Sequence, residues 1–284
     1  MIAILISTYN GESYLKEQLD SIFRQTITDW QIFVRDDGSR DSTVQILKEY
    51  ELRHPCKIHI VNDLTTNLGA GKSFMHLLKV VDADYYMFSD QDDVWMDDKI
   101  ERTLKKLKSI EKKCIKEMPI GVFTDLTIVD SELNIIHPSL WKAGNRHPEY
   151  VRDLYLQWSN RHATYGCTMM INKFAKKVVL PYKQFPGVMG AHDNWIAYIL
   201  IHDGIYDYLN ESTIYYRQHG NNVVGANLSL KDKDEVNDML FRPFTLWAKL
   251  KKDYARTRLM PFHVSYLKVL LYRIVMSTKA LLKK

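Results

Sequence analysis

A chain of 284 residues with 46% hydrophobic and 26% charged residues can bury a large core, so we expect a globular protein with one large α/β domain or two small ones. Its three cysteines lie far apart, which excludes a disulfide framework and a paired metal-ligand motif and favours a reducing cytoplasm. The first apolar run, residues 2–6, is too short for a signal peptide or a membrane span.

The net charge of +5 is unevenly distributed. Residues 242–284 contain eleven Lys or Arg and one acid, Asp253, which leaves a net charge of −5 for residues 1–241. A basic segment on an acidic body predicts a polyanionic partner, either nucleic acid or anionic lipid. Because Lys268, Arg273 and Lys279 interrupt an apolar run, we expect a helix lying on an anionic membrane surface and no nucleic acid. The alternative is that these helices pack on the rest of the chain or on a second subunit.

Apolar runs and helical spacings alternate along the first half of the chain. Strands are predicted at residues 2–7, 32–35, 57–61 and 85–89, and helices at 15–23, 42–52, 72–81 and 100–110. This alternation predicts a mostly parallel sheet covered by helices.

After Pro119 the rhythm changes. We predict strands at residues 121–129 and 164–171, helices at 149–158 and 193–201, and a β-rich stretch at 205–219. From residue 227 the chain looks helical and basic. We therefore divide it into one α/β domain at 1–225 and a helical basic extension at 226–284.

Ligands of such sheets bind beyond the carboxyl ends of the strands. One of these places holds Asp90-Gln91-Asp92-Asp93, where three carboxylates in four residues repel one another unless a cation or protons intervene. Hard oxygen ligands suit Mg²⁺ or Mn²⁺ together with substrate phosphates. The alternative is a solvated turn in which an Asp caps the next helix.

Two neighbouring strand ends favour a pyrimidine pocket. A carboxylate in Asp36-Asp37-Gly38-Ser39 can accept the N3–H of uracil or thymine, while Thr8 and Tyr9 offer a hydroxyl and a stacking face. Taken alone, the Asp36 segment is equally typical of an ordinary turn before a helix cap.

Residues 69–73, Gly-Ala-Gly-Lys-Ser, look like the end of a P-loop, but that motif needs Gly where the chain has Thr66. The dinucleotide fingerprint also fails, because its third glycine would fall at Phe74. Lys72 can still reach a phosphate.

Two later segments carry polar and aromatic residues near predicted element ends. His192-Asp193-Asn194-Trp195 opens a helix after a glycine-flanked loop, so Asp193 or Asn194 is either a helix cap or part of a sugar-binding site. Sugar rings stack on Trp, and a carboxylate can take a hydroxyl proton. His219 ends a strand at a glycine-containing turn that is suited to closing over a diphosphate.

Taken together, the motifs at residues 7–10, 36–39, 90–95 and 192–195 and the His219 segment resemble family 2 of the GT-A glycosyltransferases. The resemblance covers roughly residues 1–225, and the segment from Gln91 to Trp95 is similar to bacterial rhamnosyltransferases that use dTDP-L-rhamnose. The resemblance implies a GT-A fold, a mixed and mostly parallel sheet with flanking helices, to which the basic helical extension is added.

The resemblance also implies residue roles. Tyr9 and Asp37 would hold the base and Asp90 the ribose. Thr8 and Lys72 are expected as further nucleotide contacts from the residues alone, because the chain departs from the family pattern at Lys72-Ser73-Phe74. Asp92 and His219 would hold Mg²⁺ or Mn²⁺, and Asp193 would be the catalytic base. Acceptor contacts are expected from three aromatic or imidazole side chains, namely His192, Trp195 and Trp95.

The expected function is therefore inverting, metal-dependent transfer of a sugar, rhamnose favoured, from a dTDP- or UDP-sugar to a saccharide or lipid-linked acceptor in cell-surface polysaccharide synthesis. The alternatives are a UDP-hexose transferase, a P-loop phosphotransferase and a non-catalytic nucleotide-binding protein. The expected location is the cytoplasm, at the inner face of the membrane.

Overall fold

A computed structural model describes residues 1–63, 65, 67–159, 163–185, 192–219 and 243–282. Its strands are β1 (Ile2–Thr8), β2 (Trp30–Asp36), β3 (Ile58–Ile60), β4 (Tyr85–Ser89), β5 (Val94–Trp95), β6 (Ile120–Val129), β7 (Ile135–His137), β8 (Met170–Asn172) and β9 (Ile205–Arg217). Its helices are α1 (Leu15–Phe23), α2 (Thr43–Arg53), α3 (Ala70–Val80), α4 (Lys99–Glu111), α5 (Leu140–Ala143), α6 (Leu154–Ser159), α7 (Lys173–Val179), α8 (His192–Asp203), α9 (Pro243–Leu259) and α10 (Tyr266–Leu282). Short 3-10 turns cover Pro148–Arg152 and Gly166–Thr168.

The strands form one mixed sheet in the order β3-β2-β1-β4-β8-β6-β9-β5, with β7 paired to β6. The first four strands are parallel, β8 runs antiparallel to both of its neighbours, and β9 is parallel to β6. The predicted strand at 164–171 is shorter in the structure, because a 3-10 turn occupies Gly166–Thr168 before β8 begins. The predicted alternation of strands and helices over the first half is confirmed.

Alternate side chains of β1 enter two hydrophobic cores, one on each face of the sheet. Ile2, Ile4 and Ile6 pack with α1, α2 and α4, whereas Ala3 and Leu5 pack with α3 and α8. Because both faces are covered, the central strands read as continuous apolar runs.

The C-terminal helices join the core that contains α3 and α8. Met260, Val264 and Val269 are buried in that cluster, and the ring of Phe262 stacks on His202 at 3.7 Å between centroids. The described part of the extension is therefore docked on the sheet domain, while the predicted division near residue 225 falls outside the described residues. Among the helices of the described residues, none is long and apolar enough to cross a membrane.

Candidate active site

The carboxyl ends of β1, β2 and β4 meet at one edge of the sheet. Thr8 pairs with Asp36, and Ile6 pairs with Ser89 one residue before Asp90. The loops that follow these strands are the segments that the sequence singled out. The structure therefore brings the three predicted motifs together.

The loop after β2 is organised by Asp36. Its carboxylate accepts hydrogen bonds from the Thr8 hydroxyl at 2.9 Å and from the backbone N–H groups of Gly38 and Ser39 at 3.0 and 2.8 Å. Thr8 is fully buried, so the prediction that its hydroxyl contacts a nucleotide is wrong, and the hydroxyl instead fixes Asp36. Tyr9, in contrast, exposes half of its surface, at the residue that directly follows β1.

Asp37 connects the same loop to the start of α3. Its carboxylate accepts hydrogen bonds from Arg35 Nη1 at 2.7 Å and from the backbone N–H groups of Leu68 and Gly69 at 2.8 and 2.7 Å. Within the part of the chain that the structure describes, these bonds use three of about four acceptor positions of the carboxylate and fix it between the two loops. Lys72 is exposed in the first turn of α3, next to this loop.

Gln91 fastens the loop after β4 to the loop after β1. Its side-chain amide accepts from Tyr9 N at 2.8 Å and donates to Tyr9 O at 3.0 Å, as a neighbouring strand would. The approach is possible because residue 11 is glycine, since a Cβ there would lie 2.4 Å from Gln91 Oε1. Sequence reasoning gave Gln91 no role, because a contact across 82 residues leaves no local signal.

Three side chains of the site could share a cation. Ligand atoms of Asp90, Asp93 and Cys167 all lie within 4.8 Å of one another. Burial, followed by the charge of Asp92, raises the pKa of Asp90 to about 7. Asp93 is fully buried, and burial together with the charge of Asp92 raises its pKa well above the ordinary range. Its Oδ2 has no hydrogen-bond partner in the part of the chain that the structure describes.

The buried Lys99 is a cation that interacts electrostatically with Asp93 and Cys167. Its Nζ donates to Thr213 Oγ1 at 3.2 Å, and burial lowers its pKa to about 8 although Cys167 and Asp93 oppose that change. The raised pKa values of Asp90 and Asp93 show that the neighbouring cations leave part of the mutual repulsion at residues 90–93 in place. An oxygen-rich, electronegative donor set of this kind fits a divalent cation.

The two predicted metal ligands, Asp92 and His219, lie side by side. Asp92 Oδ2 is 2.9 Å from His219 Nε2, although 127 residues separate them in sequence. Arg217, two residues before His219, is buried and donates to the backbone carbonyl of Asp92 at 2.9 Å and to Glu17 and Ser131. Its guanidinium therefore holds the main chain beneath Asp92 instead of facing a ligand.

Asp193 lies in the first turn of α8, partly buried. Its Oδ1 accepts from the backbone N–H of Asn194 at 2.7 Å and from the Asn194 amide at 3.2 Å. Burial raises the pKa of Asp193 to about 7, although hydrogen bonds to the carboxylate oppose the rise. The charge of Asp193 in turn raises the pKa of Asp90, so the two carboxylates belong to one electrostatic site.

The three predicted acceptor contacts are corrected by the structure. Trp195 is buried, donates from Nε1 to Val179 O at 2.8 Å and packs against Tyr182 and Phe185. His192 lies in the core between Phe74 and Phe88 and directly against Gly166, and Trp95 is buried in the opposite core. None of these rings offers a face to a sugar, so their role is packing.

Comparison with known proteins agrees with this arrangement. A sequence profile described as "Glycosyl transferase family 2" matches residues 3–179, which is more than half of the chain. The chain belongs to this family. It is 35% identical over 237 residues to "dTDP-rhamnosyl transferase RfbG" of Shigella flexneri, covering 80% of this chain and 76% of that protein.

Two solved structures share the fold. S. aureus TarS 1-349 in complex with UDP has a TM-score of 0.57 at 17% identity, covering 87% of this chain and 74% of that chain. The mannosyltransferase PcManGT from Pyrobaculum calidifontis in complex with GDP-Man and Mn²⁺ also has a TM-score of 0.57, at 14% identity, covering 96% and 68% of the two chains. The predicted family and the GT-A fold are confirmed, and the chain is a glycosyltransferase.

Proposed function

We propose that this glycosyltransferase transfers rhamnose from dTDP-rhamnose to a hydroxyl of a saccharide or lipid-linked acceptor in cell-surface polysaccharide synthesis, with inversion at the anomeric carbon. The donor is supported by the 35% identity to the rhamnosyl transferase over most of both chains. The observation on which the mechanism depends is the partly buried Asp193 carboxylate, with a pKa of about 7, in the same electrostatic site as Asp90 and Asp92.

In the proposed reaction Asp193 is the only base required. The acceptor oxygen attacks the anomeric carbon, its proton passes to Asp193, and the bond from the anomeric carbon to the diphosphate breaks. A free carboxylate with a pKa near 3.9 would be a weak base at neutral pH, whereas the raised pKa makes Asp193 a stronger one while it stays largely ionised just above pH 7. A single displacement of this kind needs one base, unlike the paired carboxylates of a retaining hydrolase.

The donor would lie along the carboxyl edge of the sheet. Tyr9 would stack on the thymine ring, the Asp37 carboxylate would receive N3–H, Asp90 would bind the ribose, and Lys72 would approach a phosphate. A Mg²⁺ or Mn²⁺ ion held by Asp92 and His219 would offset the negative charge that grows on the leaving diphosphate.

A UDP-hexose donor is the second candidate, since thymine and uracil present the same N3–H to Asp37. A non-catalytic nucleotide-binding protein is less well supported, because binding alone gives no reason to bury a carboxylate at Asp193. A P-loop phosphotransferase has no support in the fold, because the segment at 69–73 follows the third strand and lacks the first glycine.

A thermal-shift screen tests donor and metal together. The protein is heated with dTDP-rhamnose, UDP-glucose, UDP-N-acetylglucosamine or ATP, each with Mn²⁺ or with a chelator, because a ligand that binds only the folded state raises the melting temperature. We expect the largest rise with dTDP-rhamnose and Mn²⁺, lost in Asp92→Asn and His219→Gln. Equal stabilisation in the presence of the chelator would contradict the metal assignment, and a larger rise with ATP than with any nucleotide sugar would contradict the function.

We also propose that the enzyme works in the cytoplasm at the inner face of the membrane, where a lipid-linked acceptor would be found. The support is the net charge of +10 on residues 242–284.

A further inference from the structure

One face of α10 exposes large apolar side chains. Leu267, Leu271, Ile274 and Val275 keep 66%, 51%, 52% and 48% of their surface accessible. Their spacing of four, three and one residues places all four on one side of a helix. Four large apolar side chains exposed on one helix face are typical of an interaction surface.

The opposite face of α10 is fixed to the protein. Val269 is fully buried, the ring of Tyr272 lies 5.6 Å from that of Tyr155, and Arg273 Nη2 is 3.0 Å from Asp253 Oδ2. The helix is therefore docked through one side, and the apolar stripe on the other side is not a consequence of poor packing.

The segment that carries the stripe is strongly basic. Asp253 is the only acidic residue in 243–282, and it is buried and paired with Arg273 and Arg256. Cations lie exposed on both helices, at Lys251, Lys252, Arg258 and Lys268. No exposed carboxylate of this segment opposes them, so the surface is complementary to anions.

We propose that the stripe of α10 docks on an anionic lipid bilayer, with Leu267, Leu271 and Ile274 below the headgroups and Lys268 among them. Apolar burial supplies the main attraction, and each cation near the surface adds an electrostatic contribution that salt screens. The docking itself does not require the proposed function to be correct. Its biological purpose, access to a lipid-linked acceptor, rests on the proposed function.

The fold links this surface to the catalytic carboxylate. α10 packs on α6 through Tyr272 and Tyr155, and α6 packs on α8 through the stacked rings of Trp158 and Tyr198, 4.3 Å apart. The first turn of α8 contains Asp193. Docking of α10 would therefore hold the base in a fixed relation to the bilayer, as a lipid-linked acceptor requires.

Flotation of the full chain with vesicles tests the proposal without donor or turnover. The vesicles are phosphatidylglycerol mixed with phosphatidylcholine, or phosphatidylcholine alone. The stripe variant is Leu267→Ser, Leu271→Ser, Ile274→Ser, and the matched control is Leu52→Ser, Ile115→Ser, Ile135→Ser, which removes three exposed apolar side chains elsewhere. A charge variant replaces Lys251, Lys252 and Lys268 by Gln.

We expect the wild type and the control to float with anionic vesicles, and the partition coefficient of the stripe variant to fall at least roughly tenfold. The charge variant should bind more weakly and lose most of its salt dependence. Circular dichroism and nucleotide binding verify that each variant folds. A wild-type protein that binds the donor but does not float with anionic vesicles would overturn the docking surface and leave the proposed function intact. Equal flotation of the stripe variant and the wild type, equal binding to neutral vesicles, or a wild-type dimer that the stripe variant converts to a monomer would each overturn the proposal.

Discussion

Asp193→Asn should make the enzyme inactive and more stable at the same time. Burial raises the pKa of this carboxyl from 3.8 to about 7, so the folded protein resists its ionisation. At about 1.4 kcal/mol for each pH unit, this corresponds to at most roughly 4 kcal/mol of unfolding free energy lost once the group is charged. The Asn side chain removes the charge but keeps an oxygen that can accept from Asn194.

The sign of the pH dependence follows from proton binding. Between about pH 4 and pH 7 the folded wild type holds more protons on Asp193 than the unfolded chain does, so its stability falls as pH rises and the loss is complete above about pH 7. The Asn variant does not titrate at this position. The stability difference between variant and wild type should therefore be near zero at about pH 4 and largest at about pH 8.

Urea unfolding across this pH range measures the stability difference, and sugar transfer measures activity. Wild-type kcat should rise about tenfold per pH unit below pH 7 and level off above it. The kcat of the variant should be roughly 100- to 10,000-fold lower and should not rise with pH in this range. Asp203→Asn, at the exposed end of the same helix, is the control and should change stability by less than about 0.5 kcal/mol. A variant less stable than the wild type at pH 8, or one with near-normal turnover, would refute the assignment of Asp193 as a buried base.

Two further predictions separate positioning from packing. Gly11→Ala and Gln91→Ala should each weaken dTDP and UDP binding, because both changes remove the hydrogen bonds between Gln91 and the Tyr9 backbone. The double variant should therefore bind no worse than Gln91→Ala alone. Additive losses of binding free energy, measured by calorimetry, would contradict this role of Gln91. Trp195→Phe should destabilise the fold by about 1–3 kcal/mol, because the hydrogen bond to Val179 is lost. The KM for the acceptor should stay within about twofold of the wild-type value. A large rise in this KM at unchanged stability would show that Trp195 contacts the acceptor.

Periodicity predicted the first half of the fold well because β1 to β4 are buried parallel strands with amphipathic helices between them. It did not show which side chains of a motif face the cleft. Asp193 and Trp195 are two residues apart on a helix and therefore point about 200° apart, so a cleft-facing Asp193 implies a core-facing Trp195. That inference was available from the sequence, whereas the burial of Thr8 and Trp95 depends on neighbours from distant elements.

The pairing of Asp92 with His219 depends on a feature of β9 that periodicity cannot show. β9 begins with Ile205 opposite Ile120 and ends with Arg217 opposite Val129, so it contains three more residues than β6 between these pairs. The surplus is absorbed at two irregularities, one beside Thr124 and one between Asp125 and Thr127. A uniform register would place Ile214 opposite Val129, and Arg217 would then lie beyond the end of β6 instead of beneath Asp92. Bulges re-aim side chains in this way next to active sites, so the site is assembled by an irregularity that only the paired strands reveal.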